Sequence, residues 1–195
     1  MKSLPILLKE IHQCRICEPH LPLGPRPVLS ASHSARILII GQAPGTKVHA
    51  SGIPWDDASG RRLREWLQLG HEDFYDIQKI AIIPMGFCYP GKGKSGDLPP
   101  RKECAPQWHS ALLKHMPKLK LTLLIGRYAQ NYYLKKSAKK NLTETVRSYP
   151  DYLPHFMPLP HPSPLNLRWL RRNDWYEKEV VPVLQSLVQD ALKPN

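Results

Sequence analysis

Two kinds of apolar patterning take turns along the chain. A short unbroken apolar run stands at Ile37-Leu38-Ile39-Ile40, and largely apolar runs stand at 80–85, at Leu121 to Ile125 and at Phe156 to Leu159. A run of that length without polar alternation is the signature of a strand covered on both faces, as in a parallel sheet. Between the runs, apolar residues recur every three or four positions, which marks amphipathic helices. Leu4, Ile6, Leu7, Leu8 and Ile11 predict a helix over 4–12. Leu63, Trp66 and Leu67 predict one over 60–69, capped by Ser59 and closed by Gly70. Further helices are expected over 102–116, where Pro106 is tolerated in the first turn, and over 127–134, 142–148 and 174–192. The segments 18–27, 45–60, 86–100 and 160–166 read as loops. Strands alternating with helices predict an α/β fold: a three-layer α/β/α sandwich around a four-stranded parallel sheet, as one domain over 1–195.

The first strand ends in Gly41-Gln42-Ala43-Pro44-Gly45. Open α/β sheets bind ligands at the carboxyl ends of their strands. Gly41 and Gly45 allow backbone to approach a ligand closely, and Pro44 fixes the turn. The Gly/Pro/Lys-rich stretch over 86–100 has a length that in ordered proteins usually serves function.

Charge and cysteines add to this picture. There are 28 Lys and Arg against 16 Asp and Glu, a net charge of +12. Such an excess favours a polyanion, most simply nucleic acid, without separating DNA from RNA. No apolar run approaches the roughly 20 residues a membrane span requires, and charged Lys9 and Glu10 follow the start closely, unlike a signal peptide. The expectation is a cytoplasmic monomer that does not enter membranes. Cys14 and Cys17 form a Cys-x-x-Cys pair, while Cys88 and Cys104 have fifteen residues between them. Cytosolic proteins rarely keep structural disulfides. A close pair plus two distant single thiols can hold zinc or an iron–sulfur cluster; alternatively Cys88 and Cys104 are ordinary buried thiols.

At this point the chain resembles the iron–sulfur uracil-DNA glycosylases, families four and five. The cysteine spacing is similar to theirs. Gly41-Gln42-Ala43-Pro44-Gly45 resembles the family-four Gly-Glu-Ala-Pro-Gly. Gly52-Ile-Pro-Trp-Asp-Asp-Ala-Ser-Gly60 resembles the loop carrying the base-stacking aromatic, and its Asp57-Ala-Ser-Gly60 the family-five version. His161-Pro-Ser-Pro-Leu-Asn166 resembles the second superfamily motif, the loop that enters DNA. The matches keep the family's order and span nearly the whole chain. The resemblance implies a uracil-DNA glycosylase-like fold, DNA as partner, and a structural [4Fe–4S] cluster on Cys14, Cys17, Cys88 and Cys104, with zinc as the alternative.

The residue types suit that chemistry. A glycosylase holds a flipped base in a pocket, and Trp55 offers a face for stacking. Gln42, Ala43 and Met85 are expected around the base. Asp57 and Asp56 can orient water and stabilise a cationic sugar; their competing role is to cap the following helix. His161 can donate to the departing base. Leu165 can wedge into the base stack. Ser163, Asn166 and Arg168 would contact DNA, with Arg171 and Arg172 on phosphates. Ala43 leaves the first motif without the carboxylate or amide that activates water in several other branches. Pro84 stands where family four places a uracil-reading Asn, so backbone groups of Met85, Gly86 or Phe87 are the expected substitutes. Beside a monofunctional glycosylase for uracil or another deaminated base stand two other readings: a non-catalytic DNA-binding protein with a structural metal centre, and an RNA-binding or RNA-processing protein.

Overall fold

The computed structural model describes residues 2–193. In chain order its helices are α1 (Leu4–His12), α2 (Thr46–Ser51), α3 (Ala58–Leu67), α4 (His71–Tyr75), α5 (Cys104–Leu113), α6 (Arg127–Leu134), α7 (Leu142–Arg147), α8 (Leu167–Arg172) and α9 (Val181–Leu192). Its strands are β1 (Ile37–Ile40), β2 (Ile80–Ile82), β3 (Lys92–Gly93), β4 (Gly96–Asp97), β5 (Leu121–Ile125) and β6 (Phe156–Leu159). The four apolar runs form one parallel sheet in the order β2-β1-β5-β6. Ile37 lies opposite Ile80 on one side and Leu121 on the other.

Alternate residues of a strand face opposite ways, and both faces here are apolar. Ile37 and Ile39 pack with Leu63 and Trp66 of α3 and Leu184 and Val188 of α9. Leu38 and Ile40 pack with Leu7 and Ile11 of α1, Leu112 of α5 and Ala129 of α6. The sandwich with its four-stranded parallel sheet is therefore the one the apolar runs predict. The chain leaves β1 for β2 on one side and then crosses to β5 on the other. A crevice opens at such a switch point, beyond the carboxyl ends of the strands.

Several boundaries differ from expectation for identifiable reasons. The second strand stops at Ile82, because Pro84 lacks an N–H for the ladder. Neighbouring amides still tie the segment to β1: Ile83 N–H donates to Ile39 (3.0 Å) and Met85 N–H to Gly41 (2.9 Å). Helix α3 starts at Ala58, two residues before the expected start. Its cap is Asp57, whose Oδ1 accepts from Gly60 N–H at 2.8 Å; Ser59 is buried within the helix. The expected helix over 102–116 shortens to Cys104–Leu113. The last one is split: Tyr176–Val180 forms a wide π-helical turn just ahead of Pro182, which has no N–H to give back to it. The supposed loop over 45–60 contains α2, ended by Gly52 at φ 75°. The one over 86–100 contains the β3–β4 hairpin. Among the described residues, no helix is long and apolar enough to cross a membrane.

Candidate active site

A cleft of about 720 Å³ occupies the switch point. Its floor is the first motif after β1, and its walls come from the loop leading into α3, the turn after β5, the loop after β6, and the β3–β4 hairpin. Gln42, Ala43, Trp55, Asp57 and His161 all line it, as do Ser163, Leu165 and Asn166. Asp56 is exposed and Met85 is buried, and neither belongs to the lining; Arg168 is exposed on α8, also outside it.

Trp55 is held by backbone geometry and by two glycines. Its φ of 59° is left-handed, a strained choice for a bulky residue. A Cβ at Gly60 would sit 1.7 Å from the Trp55 carbonyl oxygen, and one at Gly41 would sit 2.8 Å from the Trp55 ring. Only glycine at both positions lets the indole lie on the first motif. Tyr75 hydroxyl donates to the Pro54 carbonyl at 2.9 Å and anchors the loop from behind. The indole also meets His161, with ring centroids 5.6 Å apart and planes 37° from parallel.

The proton position on His161 follows from its hydrogen bond. Nδ1 accepts from the Ser163 N–H at 3.2 Å. Burial lowers the pKa of His161, opposed by the negative charge of Asp57. A neutral ring accepting at Nδ1 carries its hydrogen on Nε2, which makes Nε2–H a donor. The rest of that loop is braced in the same way. Ser163 Oγ accepts from Leu165 N–H (3.2 Å), and Asn166 Nδ2 donates to the His161 carbonyl (3.0 Å). Leu165 is thereby presented 80% exposed at the tip.

Pro84 does line the cleft, where a uracil-reading side chain was looked for. The three backbone amides expected to replace it are already taken. Met85 N–H donates to Gly41, Gly86 N–H to the Gln42 carbonyl (3.0 Å), and Phe87 N–H to Cys104 Sγ (3.4 Å). Those bonds fasten the segment after β2 to the first motif and to α5, so base reading falls to other groups. Behind Pro84, the buried His109 donates from Nε2 to the Pro84 carbonyl (3.1 Å) while Tyr133 hydroxyl meets its Nδ1 at 2.7 Å. Burial pushes the pKa of His109 down to about 4.

Asp97, Arg127, Tyr128, Asn141, Thr143 and Trp169 also line the cleft, and sequence reasoning had not singled them out. Arg127 and Tyr128 follow directly on β5, so the strand-end rule that picked out Gln42 would have found them. Asp97 had no such signal, since two-residue strands carry no periodicity.

All four cysteines face one small second pocket, together with Phe87, Arg101 and Trp108. Burial raises the thiol pKa of Cys88 to about 11 and that of Cys104 to about 12, with the neighbouring cysteines adding to both. Among the described residues, however, no three His, Cys, Asp or Glu side chains are grouped as they would be around a metal ion. The thiols surround a common space without closing on a single point.

Sheet order, switch-point cleft and braced loops define an α/β sandwich whose cleft is built from strand-end motifs. The chain belongs to the uracil DNA glycosylase superfamily, whose family model matches residues 29–185. A type-4 uracil-DNA glycosylase of Archaeoglobus fulgidus is 31% identical over 87 residues, which cover 43% of this chain and 44% of that protein. The match thus spans less than half the length of that relative. A provisionally described uracil DNA glycosylase from Methanosarcina acetivorans, solved in solution by NMR, superposes with a TM-score of 0.47 at 19% identity, covering 83% of this chain and 98% of that one.

Proposed function

We propose that the protein is a monofunctional DNA glycosylase that hydrolyses the N-glycosidic bond of uracil or another deaminated base in DNA. The observation that carries this reading is the convergence of Gln42, Trp55, Asp57 and His161 on one strand-end cleft in a chain of this superfamily. A flipped base stacks on the indole of Trp55, which Gly41 admits against the first motif while Gly60 admits the Trp55 backbone. His161 Nε2–H meets the charge that develops on the leaving base. Asp57 keeps one oxygen on the α3 cap and turns its negative charge toward the sugar. Leu165 fills the gap left in the stack, and Arg168, Arg171 and Arg172 bind phosphates. With Pro84 silent and its neighbouring amides occupied, base choice is broad.

Cys14, Cys17, Cys88 and Cys104 hold a structural [4Fe–4S] cluster, with zinc as the alternative. The support for this is that all four thiols line one small pocket, since a cubane would take one thiolate at each iron and zinc would take four on one ion. The cluster supplies no step of the hydrolysis; it ties the segment after α1 to the start of α5.

The deciding assay incubates purified protein with single-stranded and duplex oligonucleotides carrying uracil, then hypoxanthine, then xanthine. An alkali-labile abasic product is expected. Binding without cleavage of all three would leave the non-catalytic DNA-binding reading in its place.

A further inference from the structure

The β3–β4 hairpin joins the two halves of the cleft. At its foot, Gln42 Nε2 donates to the Leu98 carbonyl at 3.2 Å. At its turn, Gly96 (φ 131°) faces the tip of the second loop: a Cβ there would lie 3.8 Å from Leu165 Cδ1. Between these two contacts Asp97 leans over the first motif, its Oδ2 3.3 Å from where a Gly45 Cβ would be. Asp97 and Asp57 are the two carboxylates of the cleft lining. Asp57 commits Oδ1 to the α3 cap. Among the described residues, no hydrogen-bond donor meets the Asp97 carboxylate; the charges that act on it are Lys92, across the hairpin, and Asp57. Ala43 has no group with which to handle water.

We propose that Asp97 is the catalytic base of this cleft, its carboxylate orienting and deprotonating the water that attacks the sugar. The proposal rests on the glycosylase reading. In the step, the water oxygen forms a bond to the anomeric carbon while the bond from that carbon to the base nitrogen breaks. The electron pair leaves with the base, facing His161 Nε2–H. The water proton passes to an Asp97 oxygen and from there to solvent, and the base takes a proton from solvent. Asp97 is exposed as a residue, yet partial burial of its carboxyl raises its pKa, with Lys92 opposing and the Asp57 charge adding to the rise, which makes it a better proton acceptor than an ordinary aspartate. Because the working form is the carboxylate, activity falls as pH drops through that raised value.

The test is single-turnover cleavage of a uracil oligonucleotide, with affinity for an abasic-site analogue measured in parallel. For Asp97→Asn we expect a rate lower by roughly 10²–10⁴-fold, unchanged affinity, and loss of the acid limb of the pH profile. For Asp97→Ala we expect added formate to restore part of the rate. A wild-type rate and acid limb in Asp97→Asn overturns the assignment while leaving the glycosylase reading intact. Rate and affinity falling together would make the hairpin a DNA-binding element and overturns it as well. A wild-type protein inert on uracil, hypoxanthine and xanthine overturns both readings.

Discussion

Individual residues here are constrained by what touches them. Gly60→Ala would drive a methyl into the Trp55 carbonyl. We expect it to cost about 1–3 kcal/mol in chemical denaturation, the usual range for overpacking, and to displace the indole so that base stacking suffers too. His109 offers a test by pH. Its folded pKa is near 4, against an ordinary value of 6.5, so between those values the unfolded chain binds a proton that the folded chain refuses. The site's contribution is therefore complete above about pH 6.5 and drains away as pH falls toward 4, by roughly 3 kcal/mol in all. Wild type should lose that stability over the interval, and His109→Gln should show a flatter slope; equal slopes would mean that His109 is not held neutral. None of this was legible in the sequence, where His109 is one histidine among nine. Trp55 was legible, because the Pro and Asp beside it suit a loop rather than a core.

At the scale of elements, Asp57 serves both the α3 cap and the cleft, and the two roles separate by substitution. Asn also caps well, so Asp57→Asn should keep the denaturation midpoint while losing turnover. Asp57→Ala should lose turnover and about 1 kcal/mol of stability. The sequence had set these roles against each other, whereas the geometry lets one residue hold both, one oxygen to each. Strands β1, β5 and β6 and helices α1 and α6 were readable at their true bounds, because each combines a clear pattern with a Gly or Pro at one end, whereas β2 ended three residues short of its apolar run. Helix α2 was not readable, since Val48 is its one buried residue, and a single apolar position has no period. The β3–β4 hairpin was hidden for a related reason: it is held by Gln42 and by its own four-residue pairing, and neither leaves a pattern of apolar residues.

For the molecule as a whole, the net charge of +12 predicts the form of DNA binding. Affinity should fall linearly with the logarithm of salt, and replacing both Arg171 and Arg172 with Ala should reduce that slope by about two. A flat response would remove nucleic acid as the partner. Protein purified without oxygen should be brown and carry iron and sulfide. Zinc in their place would keep the thiol pocket as a metal site of another kind.

The two glycines under Trp55 also have a consequence for how such a protein can diversify. With the indole against Gly41 and the Trp55 backbone against Gly60, neither glycine can take a side chain while Trp55 keeps its place, and the floor of the cleft is closed to gradual variation. The hairpin facing it is short, solvent-exposed over most of its length, and fastened by few bonds. Lineages that shift toward a new lesion should therefore carry their changes at 92–95 and leave the floor and Asp97 as they are. A library randomised over 92–95, which spares Asp97, should yield altered base preferences, while one randomised at 41, 55 and 60 should yield mainly inactive protein.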